Sequence, residues 1–324
     1  MHKINHLRNL KRIIFSLSIA LITNTAHASD SPWFTGPILA LSGKTLPRGH
    51  TNIEVYSFNV HSNGRYNDQS HFESRPASDT AQFSGIFGHG LSDSFDMQFS
   101  FPLTINKFNG QTNKDIGDMV ALLGYQVMTQ PEGTWWPNLR VALQESVPTG
   151  KFDRLSTTLR TTDDHGKGSY LTTLSFNFQT LFQPFADHYL RTFLSLGLTE
   201  PSTVHVQGVS IIGGTRDTNG SFNPGLSAWV DLAGEFTINQ NLVVVMEALY
   251  GMGAPLHFTG FPGLTNLGQP LSLESGKNRA LSYAPALEYN FTANFGVIAG
   301  VWFSVLGQNI SQFCAPVFAV NAYW

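Results

Sequence analysis

Cysteine is almost absent: Cys314 is the only one in 324 residues. A disulfide framework within one chain is therefore excluded, and so is a metal cluster built on thiolates. Charge is scarce as well, with Asp, Glu, Lys and Arg at 13% where a soluble globular domain carries about a quarter. Lys and Arg do not outnumber Asp and Glu (19 against 22), so the electrostatic footprint of a nucleic-acid partner is missing. Long apolar runs are missing after residue 28, which leaves no material for a transmembrane helix. His71, His89, His165, His188, His205 and His257 are scattered, with none of the H-x-x-x-H or HExxH spacings of a metal site. No cofactor is expected.

What the chain has instead is alternation. Phe95 to Ile105 reads FDMQFSFPLTI, and side chains on a strand alternate sides. Phe95, Met97, Phe99, Phe101 and Leu103 therefore share one face, and Asp96, Gln98 and Ser100 the other. Large aromatics opposite polar groups suit a wall between lipid and water. Units of this kind recur near 51–61, 80–90, 95–105, 117–128, 138–148, 168–180, 189–199, 225–237, 242–250, 280–291, 295–305 and 314–324. Short connections (LSDS at 91–94, TQPEGTWWP at 129–137, 183–188, NQN at 239–241, TAN at 292–294) alternate with long polar ones. These features predict an all-β fold, a single transmembrane antiparallel up-and-down barrel of about twelve strands. Its short turns and both termini should lie in the periplasm, and its long loops outside the cell. A mean hydropathy of only −0.06 agrees, since every second residue of such a wall faces water.

The N-terminus supplies the address. Lys3, His6, Arg8, Lys11 and Arg12 precede the apolar run Ile13 to Ile22, and Ala26-His27-Ala28 forms an A-x-A cleavage site. Residues 1–28 read as a signal peptide and 51–324 as the barrel, placing the protein in the outer membrane of a Gram-negative bacterium. Residues 29–50 carry Pro32, Gly36, Pro37, Gly43, Pro47 and Gly49, which break regular elements. They are expected to form a periplasmic lead-in, with a segment tucked into the barrel mouth as the alternative.

The blocks LPRGHTNIEVYSF (46–58), GDMVALLGYQV (117–127), PNLRVALQESVPTGKF (137–152) and GEFTINQNLVVVMEALY (234–250) resemble the bacterial family labelled meta-pathway of phenol degradation. That resemblance implies an outer-membrane barrel with a transport role. It supplies no functional residue. The C-terminal VFAVNAYW resembles the aromatic signature by which the barrel-assembly machinery recognises clients, with Trp324 where phenylalanine is usual.

Strand parity places Asp96, Arg140, Arg191, Asp231, Glu235, Glu247 and Glu288 on polar, lumen-facing sides. Asp96, Arg140, Arg191, Glu235 and Glu288 should share the periplasmic half. Such a layer suits either a charged constriction that selects permeants or an internal salt-bridge network that fills a narrow barrel. His61-Ser62-Asn63-Gly64-Arg65 resembles the H-x-S-N-G stretch of outer-membrane phospholipase A, but here histidine and serine are adjacent and point to opposite faces. DDHGKG (163–168) and GGTRDTNG (213–220) read as surface loops. The expected function is a channel or transporter for small, hydrophobic or aromatic molecules. The alternatives are a lipid-acting hydrolase and a structural or surface-interaction barrel with a plugged lumen. Expected partners are outer-membrane lipid and lipopolysaccharide, the barrel-assembly machinery and a small-molecule permeant. The mature protein should begin at Ser29. Mass spectrometry of the membrane-extracted form checks this, and an intact Met1 would overturn the export argument.

Overall fold

Tyr, Phe, Leu and Val at every second position give each strand an apolar side that cannot face water. The only way to use twelve such strands without leaving a raw edge is to close them on themselves. The computed structural model, which describes residues 32–159, 162–185 and 187–324, shows that closure. The expected signal peptide lies outside the described residues. Barrel strands run β1 Thr51–Tyr66, β2 Phe72–Gly90, β3 Phe95–Phe108, β4 in two parts (Gln111–Ile116 and Met119–Met128), β5 Asn138–Val147 and β6 Leu171–Phe185. They continue β7 His188–Pro201, β8 Ser227–Thr237, β9 Leu242–Gly253, β10 in two parts (Asn278–Tyr283 and Ala286–Thr292), β11 Phe295–Gln308 and β12 Cys314–Tyr323. Each pairs antiparallel with its sequence neighbours, and β12 returns to β1 with Asn52 opposite Tyr323. Thr51 N–H donates to Trp324 O at 2.8 Å and Trp324 N–H to Thr51 O at 3.0 Å, so the last residue fastens the seam. Among the described residues there is no helix.

Facing follows parity. Phe99, Phe101, Leu123, Leu143, Phe176, Leu196, Val244 and Leu287 are exposed on the outer wall, while Ser175, Asn177, Arg140 and Glu288 are buried inside. Two long connections turn out otherwise than expected. Residues 62–79 are mostly strand: β1 and β2 span 16 and 19 residues and turn only at 67–71. That is well beyond the ~10 residues that cross a membrane, so this hairpin stands clear of it. At 106–116 a tight hairpin forms because Asn109 and Gly110 adopt φ of 48° and 78°, the left-handed pair of a type I′ turn. The remaining long loops carry a three-stranded sheet of Val204–Gln207, Asn219–Asn223 and His257–Phe261. Its own small core joins Val204, Val206 and Phe222.

The largest correction concerns residues 29–50. Their described part follows the alternative, not the lead-in: residues 33–46 lie across the lumen at the short-turn end, hydrogen-bonded to inward side chains of five strands, with Phe34 under Arg191 of a sixth. The outer register is testable at Phe176, midway along β6. Replacing it by Arg should cost about 2–4 kcal/mol in equilibrium unfolding from lipid vesicles, because a guanidinium would sit in hydrocarbon. An unchanged unfolding midpoint would mean that the face is misassigned.

Candidate functional site

All seven sequence-selected charges lie inside the barrel. Asp96, Arg140, Asp231, Glu235, Glu247 and Glu288 are at most 2% exposed. Arg191 sits directly opposite Glu235 across β7 and β8, and its Nε and Nη2 both donate to that carboxylate. The same guanidinium lies 4.2 Å from the ring centre of Phe34 and 5.2 Å from that of Phe193. Arg140 finds its partner farther away. Its Nε and Nη2 reach Asp96 Oδ1 at 3.1 and 2.8 Å, from β5 to β3 across the intervening β4. Gly124 of β4 is what makes the crossing possible, since it stands opposite Asp96 and a Cβ there would lie 2.6 Å from Arg140 Cζ. Asp231 and Glu247 are neighbours, as are Glu235 and Glu288.

Five carboxylates therefore meet two guanidiniums in this set. The surplus is answered by main chain. Glu288 accepts from Thr35 N–H (2.8 Å) and Gly36 N–H (3.3 Å). Glu247 accepts from Ile38 N–H (3.1 Å), Leu39 N–H (3.0 Å) and Ala40 N–H. Asp96, already paired with Arg140, accepts Leu46 N–H at 3.1 Å. Neutral amides complete the series: Gln179 Oε1 accepts Gly43 N–H (3.1 Å), and Gln126 Oε1 accepts Thr45 N–H (2.7 Å). The segment has no regular structure of its own, so these wall groups take the place of a ladder for its buried N–H groups.

The other side of the segment is apolar. Ile38 packs with Val243, Val245, Ala286, Ile298 and Val317 into a buried cluster on the inner faces of β9 to β12. Above it an aromatic row climbs the lumen: Tyr56 stacks on Phe58 (5.7 Å), Phe58 meets Trp302 edge-on (6.3 Å), and Trp302 meets Phe313 (4.6 Å). Between the segment and the walls of β1, β2, β3 and β12 remains a cavity of about 540 Å³. Tyr56, Phe58 and Ile86 line it together with Glu54, Ser84 and Gln98.

At the long-loop end, residues 162–167 fold down onto the inner face of β3. Thr104 Oγ1 bonds His165 Nδ1 at 2.5 Å, and Asn106 Nδ2 donates to Asp164 O at 2.7 Å. Asp163 is held by Lys151 Nζ (2.6 Å), Ser156 N–H (2.9 Å) and Asn113 Nδ2 (2.9 Å). Burial alone would raise the Asp163 carboxyl, but these donors outweigh it and hold it below the usual range. Burial pushes the neighbouring Asp164 up to about 6 and the His165 imidazole down. DDHGKG is thus a clasp on the barrel wall rather than a free surface loop. His61 bonds Asp79 at 2.7 Å on the outside of the β1–β2 hairpin, while Ser62 turns to Gly64 O, so the pair is not assembled for nucleophilic attack.

Two participants escaped the sequence reading, Gly124 and Glu54, and the segment 33–46 entered it only as the alternative placement of residues 29–50. No protein-family model matches the chain, and no curated protein matches it. Among solved structures, an outer membrane channel from Pseudomonas putida F1 superposes with a TM-score of 0.69 at 12% identity, over 89% of this chain and 100% of that one. The NanC porin gives 0.41 at 9% identity over 83% and 98%, and a mutant of the TodX monoaromatic hydrocarbon channel 0.37 at 12% over 86% and 90%. The first likeness establishes an outer-membrane β-barrel fold; scores as low as the other two add no argument. Gly124→Ala offers a direct probe of the charge layer. It should force Arg140 off Asp96 and cost about 1–3 kcal/mol of unfolding free energy, as overpacking does. An unperturbed unfolding curve would show that the crossing at β4 is not the fixed point it is taken for.

Proposed function

We propose that this protein is an outer-membrane channel for small hydrophobic or aromatic molecules, narrowed at its periplasmic end by its own residues 33–46. The observation that carries this reading is the cavity of about 540 Å³ left beside the segment, inside a closed barrel. A space of that size accepts one drug-sized molecule or a file of water. Tyr56, Phe58 and Ile86 offer an apolar body of solute its contacts, while Ser84 and Gln98 keep the opposite side wet. The sequence likeness to the meta-pathway of phenol degradation family supports an aromatic permeant. The short turns mark the periplasmic side by the rule of such barrels. The apolar belt and terminal Trp324 suit lipid, lipopolysaccharide and the barrel-assembly machinery as partners.

Planar-bilayer recording tests the reading. The native protein should give a small, finite conductance. A variant lacking Trp33 to Leu46, or Glu247→Ala, which strips three N–H groups of their acceptor, should conduct several-fold more. Silence from both the native protein and the deletion variant would overturn the channel.

A further inference from the structure

Glu54 differs from the lumen carboxylates that hold a guanidinium or the crossing segment; Asp231 holds neither as well, but it does not line the cavity. Asp96 and Glu235 hold guanidiniums, and Glu247 and Glu288 hold N–H groups of the crossing segment. Glu54, fourth residue of β1 as its chain rises from the short-turn end, has neither. Its Oε1 accepts from Asn52 Nδ2 at 2.7 Å and, across the seam, from Asn321 Nδ2 at 3.2 Å. The Tyr56 hydroxyl is a third donor, and all three are neutral, so they hold the carboxyl group in place without supplying a countercharge. Among the described residues no Lys, Arg or His forms an ion pair with it. It is not sealed away either, since its side chain lines the cavity.

The neighbours complete the pattern. Tyr56 and Phe58 follow on the same face of β1 and line the same cavity, and the aromatic row continues to Trp302. An aromatic track therefore ends, on its short-turn side, at a carboxyl group with no cationic partner among the described residues. Ring faces attract cations, and attract them more strongly where water is excluded. Two other cations border the cavity. Arg191 is committed to Glu235 and to the rings of Phe34 and Phe193. Lys44 is exposed and forms no ion pair among the described residues.

We infer that Glu54, with Tyr56 and Phe58, forms a subsite for small organic cations, an ammonium group carried on an apolar or aromatic body. This inference rests on the channel reading for its biological use, and on the cavity alone for its chemistry. The anion of the same skeleton should be excluded, and the neutral alcohol should bind through its ring only.

The test compares 2-phenylethylammonium, 2-phenylethanol and phenylacetate on the purified full-length protein, by calorimetry and by block of single-channel current. The ammonium should bind about tenfold more tightly than the alcohol, the size of one desolvated charge contact, and phenylacetate should not bind. Glu54→Gln should erase the difference while retaining the alcohol. Lys44→Met, which leaves the wall intact, should tighten the ammonium further. Equal binding of ammonium and alcohol to the native protein, or a preference that survives Glu54→Gln, would overturn the subsite. Ammonium binding in calorimetry, with no current from either the native protein or the variant lacking Trp33 to Leu46, would support the subsite and sink the channel reading, so the two fail separately.

Discussion

Everything inside this barrel depends on buried carboxylates accepting hydrogen bonds from backbone amides that have no other partner. A carboxylate taken from water loses several kcal/mol of hydration unless charge or donors replace it. An irregular segment taken from water loses its amide hydration as well, at about 1–3 kcal/mol for each donor left unpaired. Neither could be buried alone. Glu247 and Glu288 on the wall, and Ile38, Leu39, Ala40, Thr35 and Gly36 on the segment, are each the solution to the other's deficit.

The same reasoning explains the unequal two sides of the lumen. From β3 to β8 the inner wall is polar, with ion pairs Arg140–Asp96 and Arg191–Glu235 and a cross-strand row of Arg140, Asn177, Ser195 and Asp231. From β9 through the seam to β1 it is largely apolar, and Ile38 docks there with Val243, Val245 and Ile298. The segment spans both: it hydrogen-bonds to Asp96, Gln126 and Gln179 on one, and to Glu247 and Glu288 on the other, where Ile38 also packs closely. Removing a single guanidinium would therefore disturb more than one ion pair, because Asp96 also grips Leu46 N–H.

Much of this was legible in the sequence. Strict alternation gave twelve strands, their neighbours and their faces, because lipid outside and polar groups inside write a period of two into the chain. The charged residues were legible as inward-facing for the same reason. Their partners were not. Parity tells which side a residue faces but says nothing of who is opposite, and Asp96 meets Arg140 over a strand that only Gly124 lets it cross. The segment 33–46 was legible only as an alternative, for a different reason: the wall binds it mainly through the main chain, which leaves little side-chain pattern to read. One trace of it was visible. LVVVMEALY and FGVIAGVWFSV are apolar on both faces, which a water-lined strand would not be, and their inner faces are where Ile38 packs. Asn109-Gly110 was legible too, as a tight turn inside what otherwise reads as a long loop.

Recognition through the main chain has a consequence for how this segment can drift. Each N–H that the wall holds is a group that proline alone lacks, and only Gly36, at φ 119°, and Gly43, where a Cβ would lie 2.6 Å from Gln179 Cβ, also restrict the side chain. Between Thr35 and Leu46 the only proline is Pro37, which stands between the donors Gly36 and Ile38, where the wall asks for no N–H. Pro47 follows just after the last donor, Leu46. The segment is thus written in a restricted grammar rather than a fixed vocabulary. Its other side chains are free to vary wherever size permits, as at exposed Lys44, while the places barred to proline are set by the spacing of acceptors on the surrounding strands. A lineage could rewrite most of these residues and keep the same fit.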